Sequence, residues 1–264
     1  MIMSHSTGFY DLQEALAQPD CAVCRLKGMA TERYLDRLLW ESVNDPGLRH
    51  DIRHAQGFCR EHAWAMVSPG AALGVAIISH DVLKGLIGTL ENARFGPLPA
   101  LSLRRIREGL RRDEPAAATA ELVARLVPQA ECLACIHARE MEEGWVSTLV
   151  EHLLGEGGLL AAYEASAGLC LPHFRQALAR VRDEAVFKAL VDAQRRIWER
   201  LAGQLSERIR KSDFRFRDES WGEESDAWQR AVKAFRKEGK NKEAGKVEKK
   251  INNGKQQEKA KQDK

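Results

Sequence analysis

The chain has 264 residues, 44% of them hydrophobic, which is enough for one large or two small globular domains. Its formal charge of +3 is uneven, because residues 236–264 carry 11 basic and 5 acidic groups while the rest carries 30 and 33. The basic character therefore belongs to the C-terminal tail and is weak evidence for a nucleic-acid-binding fold. There is no apolar signal region at the start, and the most apolar run, residues 71–78, is too short to span a bilayer. These features predict a cytosolic protein with no membrane segment.

Helical patterns dominate the chain from end to end. Apolar spacing and breaker residues predict helices over residues 10–16, 21–43, 59–67, 71–93, 101–112, 117–126, 132–153 and 184–211. The clearest breaks are Asn44-Asp45-Pro46-Gly47 and Ser68-Pro69-Gly70. No window keeps a two-residue alternation, so we expect essentially no sheet and assign the fold to the all-α class.

All six cysteines belong to two copies of one motif, C-x2-C-x34-C-x2-H, placed 111 residues apart. The first copy is Cys21, Cys24, Cys59 and His62, and the second is Cys132, Cys135, Cys170 and His173. Three thiolates and one imidazole form a ligand set that suits tetrahedral zinc. The grouping in pairs three residues apart favours metal binding in a reducing compartment over structural disulfides.

The two motifs align without a gap, which indicates an internal duplication. Nine of 42 aligned positions are identical: the four ligands, Glu32/Glu143, Leu38/Leu149, Gly47/Gly158, Leu48/Leu159 and Gly57/Gly168. We therefore predict one all-α unit over residues 1–236, built from two pseudo-repeats at about 8–100 and 116–211. Each pseudo-repeat is expected to contain one Cys3His metal site.

Two zinc ions per chain are the expected cofactors, because a closed four-ligand site is usually structural. Each ion would join the helix after C-x2-C to the helix after C-x2-H of the same motif, across a 34-residue loop. Three alternatives remain: an iron–sulfur cluster, labile redox thiols at helix starts, and a single site shared between the motifs.

Other polar residues suggest no chemistry of their own. His50 and His54 have the spacing of a metal pair, but the second repeat has alanine at both positions, so we expect a solvated helix face. The His80-Asp81 pair is expected to be an ordinary surface or interface pair, and His137 misses the haem-attachment spacing by one residue. We find no phosphate loop, nucleophile elbow or zinc-protease helix, and so assign no catalytic residue.

The C-terminal part divides into an aromatic segment and a lysine-rich tail. In residues 214–236, Trp221, Trp228, Ala231 and Phe235 are spaced to form an apolar stripe that docks on the repeats. Residues 237–264 have too few apolar groups to join a core and are predicted to be disordered. This tail and the basic stretch 103–112, with Arg104, Arg105, Arg107, Arg111 and Arg112, could contact nucleic acid, although a solubilising role is the simpler interpretation.

Three of these features together resemble a bacterial and archaeal domain-of-unknown-function family, number 6062. They are the N-terminal C-x2-C, the sequences GFCREH and GLCLPH at residues 57–62 and 168–173, and FRFRDESWGEESDAW from residue 214. The resemblance covers about residues 8–236 and implies no activity. We expect a cytosolic metal-binding protein that acts as a binding or scaffold module for a protein partner. The alternatives are a redox or iron–sulfur protein and a nucleic-acid-associated zinc protein.

Overall fold

The computed structural model of the chain describes residues 7–94, 117–216 and 218–235. The described residues contain no strand, and 74% of them are helical, so the all-α prediction is confirmed. The predictions for the basic stretch 103–112 and for the tail 237–264 fall outside the described residues.

The helices of the first half are α1 (Thr7–Leu16), α2 (Ala22–Arg37), a π-helical turn (Leu38–Ser42), α3 (Pro46–His54), α4 (Arg60–Ala65) and α5 (Ala72–Glu91). Those of the second half are α6 (Ala117–Arg125), α7 (Leu133–Glu151), α8 (Leu160–Ala165), α9 (Leu171–Arg180), α10 (Glu184–Lys211) and α11 (Ala227–Ala234). Two short 3-10 turns, Phe214–Phe216 and Glu223–Asp226, precede α11.

Side-chain caps begin two of the helices that frame the metal-ligand motifs. The Asp45 carboxylate accepts a hydrogen bond of 2.7 Å from the Leu48 backbone N–H, and Pro46 occupies the first turn of α3. The Asp183 carboxylate likewise accepts from the first backbone N–H groups of α10. The helix predicted over residues 21–43 is present, but its last turn is π-helical.

The contacts divide the chain into two compact units that differ from the predicted pseudo-repeats. Unit 1 comprises Met1–Ala15 and Val23–Thr148, and unit 2 comprises Leu16–Ala22 and Leu149–Lys264. Unit 1 therefore holds the C-x2-H of the first motif and the C-x2-C of the second. The predicted single domain over residues 1–236 and its two repeats stay predictions.

Helices α2 and α7 each begin directly after the first cysteine of a C-x2-C pair and contain the second, and side chains connect the two helices directly. Lys27 on α2 forms an ion pair with Glu142 on α7, whose side chain is only 4% exposed. The rings of Tyr34 on α2 and His137 on α7 stack with centroids 4.5 Å apart. These contacts bring the start of α7, with Cys132 and Cys135, into unit 1.

Helix α5 packs along α3 in unit 1, with Ile78 in the core beside Leu39 and Ile52. The Asp81 carboxylate of α5 receives hydrogen bonds from Arg49, at 3.2 Å, and Arg53 of α3. The Arg49 bond, with the charges of both guanidinium groups, holds the pKa of Asp81 below its usual value. This residue therefore connects two helices, at a contact of the interface kind that the sequence left open for the His80-Asp81 pair.

Helix α5 extends well beyond the apolar run at residues 71–78. The apolar run at residues 71–78 is too short for a membrane span, but α5 continues to Glu91 and an 18-residue window has mean hydropathy 1.4. By length and composition alone it could cross a membrane, although a helix in the core of a soluble protein passes the same test. Only 11% of that window is buried.

Unit 2 is organised around α10, the longest of the described helices. Leu190, Ala193 and Ile197 of α10 are buried, and α8 packs on the same helix. The two 3-10 turns and α11 also pack on α10. The predicted stripe is only partly buried: Ala231 is enclosed, whereas Trp221, Trp228 and Phe235 are 43–55% exposed.

Polar contacts hold the C-terminal segment against the end of α10. The Lys211 ammonium donates 2.8 Å hydrogen bonds to the Ser220 carbonyl and to the Glu224 carboxylate. The Arg208 guanidinium lies 4.1 Å above the centre of the Trp221 ring. Docking thus depends on charge pairing at the end of α10 as much as on apolar burial.

Candidate metal centres

The two C-x2-H turns have nearly the same backbone geometry. Cys59 precedes α4 with φ −60° and ψ 162°, and Cys170 precedes α9 with φ −66° and ψ 159°. In both, the cysteine carbonyl accepts a 2.8 Å hydrogen bond from the N–H four residues later. Each ligand pair therefore occupies the first turn of a helix, where the helix dipole favours a thiolate.

A glycine with positive φ precedes each turn, at +98° for Gly57 and +69° for Gly168. A side chain at this backbone conformation is strained, so glycine permits the sharp entry into the ligand turn. This explains why the two glycines coincide in the alignment of the motifs.

Gln194 is a positioning residue that the sequence interpretation missed. Its side-chain oxygen accepts a 3.0 Å hydrogen bond from the Leu169 N–H, and its side-chain nitrogen donates at 3.2 Å to the Leu169 carbonyl. The Tyr163 hydroxyl donates to the same oxygen. Both Gln194 and Tyr163 are fully buried, so the amide fixes the backbone immediately before Cys170. In the sequence, the signal for this positioning role is that Gln194, a polar residue, lies among the apolar residues Leu190, Ala193 and Ile197.

The first candidate centre, centre 1, lies within unit 1 and consists of Cys59, His62, Cys132 and Cys135. The His62 Nδ1 atom is 3.2 Å from Cys59 Sγ, 3.5 Å from Cys132 Sγ and 3.3 Å from Cys135 Sγ. The Sγ atoms of Cys59 and Cys135 are 3.6 Å apart. All four ligand atoms lie within 4.8 Å of one another and could hold one metal ion.

The second candidate centre, centre 2, consists of Cys21, Cys24, Cys170 and His173. The His173 Nδ1 atom is 3.3 Å from Cys21 Sγ and 3.1 Å from Cys170 Sγ. Cys24 follows Cys21 by one helical turn. Cys21, Cys170 and His173 are at most 8% exposed, whereas Cys24 is exposed.

The grouping of the ligands differs from the grouping predicted within each motif. All eight predicted ligands fall into two Cys3His groups, but each group combines the C-x2-C of one motif with the C-x2-H of the other. The expectation that a metal joins two helices across a 34-residue loop is therefore wrong. The pairing across motifs that we considered for one shared site describes both centres.

The electrostatics of centre 1 favour a cation among its ligands. Burial and the neighbouring Cys132 thiol raise the pKa of Cys135 well above its usual value. Thiolates this close repel one another unless a positive ion lies between them. The group therefore suits a cation that replaces the thiol protons.

The other histidines that the sequence singled out take no part in either centre. His50 and His54 are exposed, and their rings are tilted by 37° with centroids 5.1 Å apart. His137 stacks on Tyr34, and burial lowers its pKa. These contacts fit the simple interpretations of all three residues.

The fold and the site together define an all-α protein with two Cys3His groups that could hold metal ions. Residues 8–243 match the model of the "Family of unknown function (DUF6062)", and the chain belongs to this family. It is also similar to an "Uncharacterized 23.9 kDa protein in xynA 3'region" of Caldicellulosiruptor sp. (strain Rt8B.4), with 42% identity over 71 residues. That match covers 27% of this chain and 34% of the relative. No solved structure matches the chain.

Proposed function

We propose that the protein binds two zinc ions, one at each centre, and acts as a metal-stabilised binding or scaffold module. The observation that carries the proposal is the spacing of the ligand atoms. Tetrahedral zinc, with bonds of about 2.3 Å to sulfur and 2.0–2.1 Å to nitrogen, places ligand nitrogen and sulfur about 3.6 Å apart and two sulfurs about 3.8 Å apart. The corresponding distances in centre 1 are 3.2–3.5 Å and 3.6 Å.

The same distances favour a single ion over an iron–sulfur cluster. In a cluster, the thiolates are shared among several irons separated by sulfides, so ligands on different irons lie farther apart than ligands on one ion. Here every pair of ligand atoms is within 4.8 Å. A single iron ion would fit the same space, and metal analysis distinguishes it from zinc.

A structural role is supported by the closed ligand set. Catalytic zinc keeps one position for water or substrate, whereas each centre has four protein ligands. Each set also joins segments far apart in sequence, since 70 residues separate His62 from Cys132 and 152 separate Cys21 from His173. A metal at either centre would therefore stabilise tertiary structure directly.

An ancestral duplication is part of this proposal. It is supported by the matching geometry of the two C-x2-H turns and by the order of helices around them. In unit 1, α3 before the turn packs on α5 after it, and in unit 2, α8 packs on α10 in the same way. Cysteine ligands also require reduced thiols, which supports a reducing compartment such as the cytosol.

Metal analysis of protein purified without oxygen tests the proposal. We expect about two equivalents of zinc per chain, no acid-labile sulfide and no visible absorption. Iron with stoichiometric sulfide would contradict it and establish the redox alternative. Protein without bound metal that keeps full stability and does not take up zinc would also contradict it.

A further inference from the structure

Helix α5 carries a second apolar face, directed away from the core of unit 1. Residues on this face recur with alternating spacings of three and four: Leu73, Ala76, His80, Leu83, Ile87 and Leu90. We call this set the α5 seam. Such spacing is the a/d pattern by which one helix packs against another in a coiled coil.

The α5 seam is open to solvent in the part of the chain that the structure describes. Its four large residues, Leu73, Leu83, Ile87 and Leu90, are 51–73% exposed. The opposite side of the helix provides the internal contacts, because Gly74 and Ile78 are buried and Asp81 is held by α3. Packing in the core of unit 1 therefore accounts for the apolar residues on one face of α5. It does not account for the apolar residues of the α5 seam.

Unit 2 offers an internal comparison. Helix α10 follows its C-x2-H turn as α5 follows the first one, and the C-terminal segment covers part of it. Among the described residues, α5 packs on α3, the π-helical turn and α6, which leaves the seam uncovered. Contiguous apolar patches on a protein surface are often functional interaction sites.

We propose that the α5 seam packs against the same seam of a second copy of the chain, so that two α5 helices form a short coiled coil in a homodimer. A heptad face is complementary to an identical heptad face, and a twofold axis buries the same patch on both copies. The four large residues present roughly 400 Å² of apolar surface per copy, about half of what one partner buries in a standard interface. The remaining area would have to come from the residues flanking the seam, which include no block of like charge that would oppose pairing.

Sedimentation equilibrium of the full chain with its metals bound tests this dimer. The wild type should have twice the 29.6 kDa mass of one chain. A Leu83→Glu/Ile87→Glu variant should have the mass of one chain, with association weakened about a hundredfold or more. Circular dichroism and metal content should remain those of the wild type, because both side chains point away from the core.

Two further variants make the test specific for a second copy. A Leu83→Lys/Ile87→Lys variant should also be monomeric, and mixing it with the glutamate variant should restore the dimer mass through opposite charges. As a matched control, Ile209→Glu on α10, where Ile209 is 73% exposed, should leave the dimer intact.

A wild type with the mass of one chain at all concentrations overturns the proposal, as does a dimer that the seam variants leave unchanged. Cosedimentation of a monomeric wild type with anionic phospholipid vesicles, lost in the glutamate variant, would instead identify a lipid surface as the occupant. Loss of amide-exchange protection in α5 of a monomeric chain on Leu103→Glu/Ile106→Glu substitution would identify the chain's own residues 101–112.

Discussion

At the scale of single residues, the amide of Gln194 and the backbone of Gly168 set the position of Cys170 in centre 2. A Cβ atom at Gly168 would lie 2.9 Å from the Gln194 side chain, at a φ of +69°. Both features oppose any other residue at this position. The ligand turn thus depends on a residue 24 positions away from Cys170 that binds no metal itself.

A Gly168→Ala variant should consequently be less stable by about 2 kcal/mol, since alanine is strained at positive φ and would displace the buried amide. Urea denaturation of the metal-loaded protein measures this. Gly203→Ala is the matched control, because a Cβ there meets nothing within 4 Å inside α10 and should stabilise the protein by roughly 0.5–1 kcal/mol. Equal effects of the two substitutions would contradict the role assigned to Gly168.

Because each centre combines ligands from both motifs, the number of metal ions that a double variant retains depends on which two ligands are removed. A Cys21→Ala/Cys59→Ala variant removes one ligand from each centre, so we expect native mass spectrometry to find both ions lost. A Cys59→Ala/Cys135→Ala variant removes two ligands from centre 1 alone and should keep one ion. Pairing within each motif predicts the reverse result for the two variants.

The identities of the ligands could be predicted from the sequence, but their pairing could not. The four Cys/His pairs have the same spacing, so spacing cannot assign one C-x2-C to either C-x2-H. Loop closure favours the shorter separation by only about 0.6 kcal/mol for each doubling of length. A few partly buried contacts such as Lys27–Glu142 and Tyr34–His137 are enough to offset a difference of that size, and such contacts cannot be read from spacing.

At the scale of elements, the C-terminal segment is held to α10 by ionic contacts as well as burial. The Glu224 carboxylate accepts 2.8 Å hydrogen bonds from the Gly222 N–H and from the Lys211 ammonium. The backbone bond, followed by the lysine, lowers the pKa of Glu224 to about 2. A carboxylate with a depressed pKa stabilises the fold above its ordinary pKa of about 4.3 and loses that contribution as the pH falls towards 2.

A Glu224→Gln variant should therefore unfold at a lower temperature than the wild type at neutral pH, and this gap should narrow as the pH falls from about 5 towards 2. Comparing the two proteins at each pH cancels any metal loss that they share. Glu199→Gln, at an exposed pair with Arg195, serves as the control and should produce little difference at any pH. A gap that stays constant with pH would contradict the ionised state assigned to Glu224.

Helix positions were predictable because apolar spacing and breakers are local properties. The stop at Asn44–Gly47 and the long helix at 184–211 depend only on neighbouring residues. The C-terminal segment packs on α10, but the aromatic members of its predicted stripe, Trp221, Trp228 and Phe235, are only partly buried. The buried Ala227 and the Arg208 guanidinium over Trp221 contribute to the docking, and such contacts depend on α10 and cannot be read from apolar spacing. Helix α5 has two apolar faces, and the face that enters the core is likewise determined by the helices that pack against it and not by the local sequence.

At the scale of the whole molecule, the two centres should contribute a large share of the folding free energy. Removing metal with a chelator should destabilise the protein by several kcal/mol and lower its melting temperature by roughly 10 °C. Calorimetry of the metal-free, metal-loaded and Cys59→Ala proteins measures this, and the variant should lie between the other two. A metal-free protein that melts with the loaded one would contradict a structural role.

The exchange of ligand pairs between the motifs also affects the protein while it is being synthesised. Cys21, Cys24, Cys59 and His62 leave the ribosome first, and at 5–20 residues per second Cys132 follows on the order of ten seconds later. During that interval the nascent chain can offer a metal ion only the ligands of its first motif, a set that does not form one group in the folded protein. If the proposed metal is bound that early, the later ligands have to displace part of this set, so the concentration of free metal during translation should influence how much chain reaches the native state.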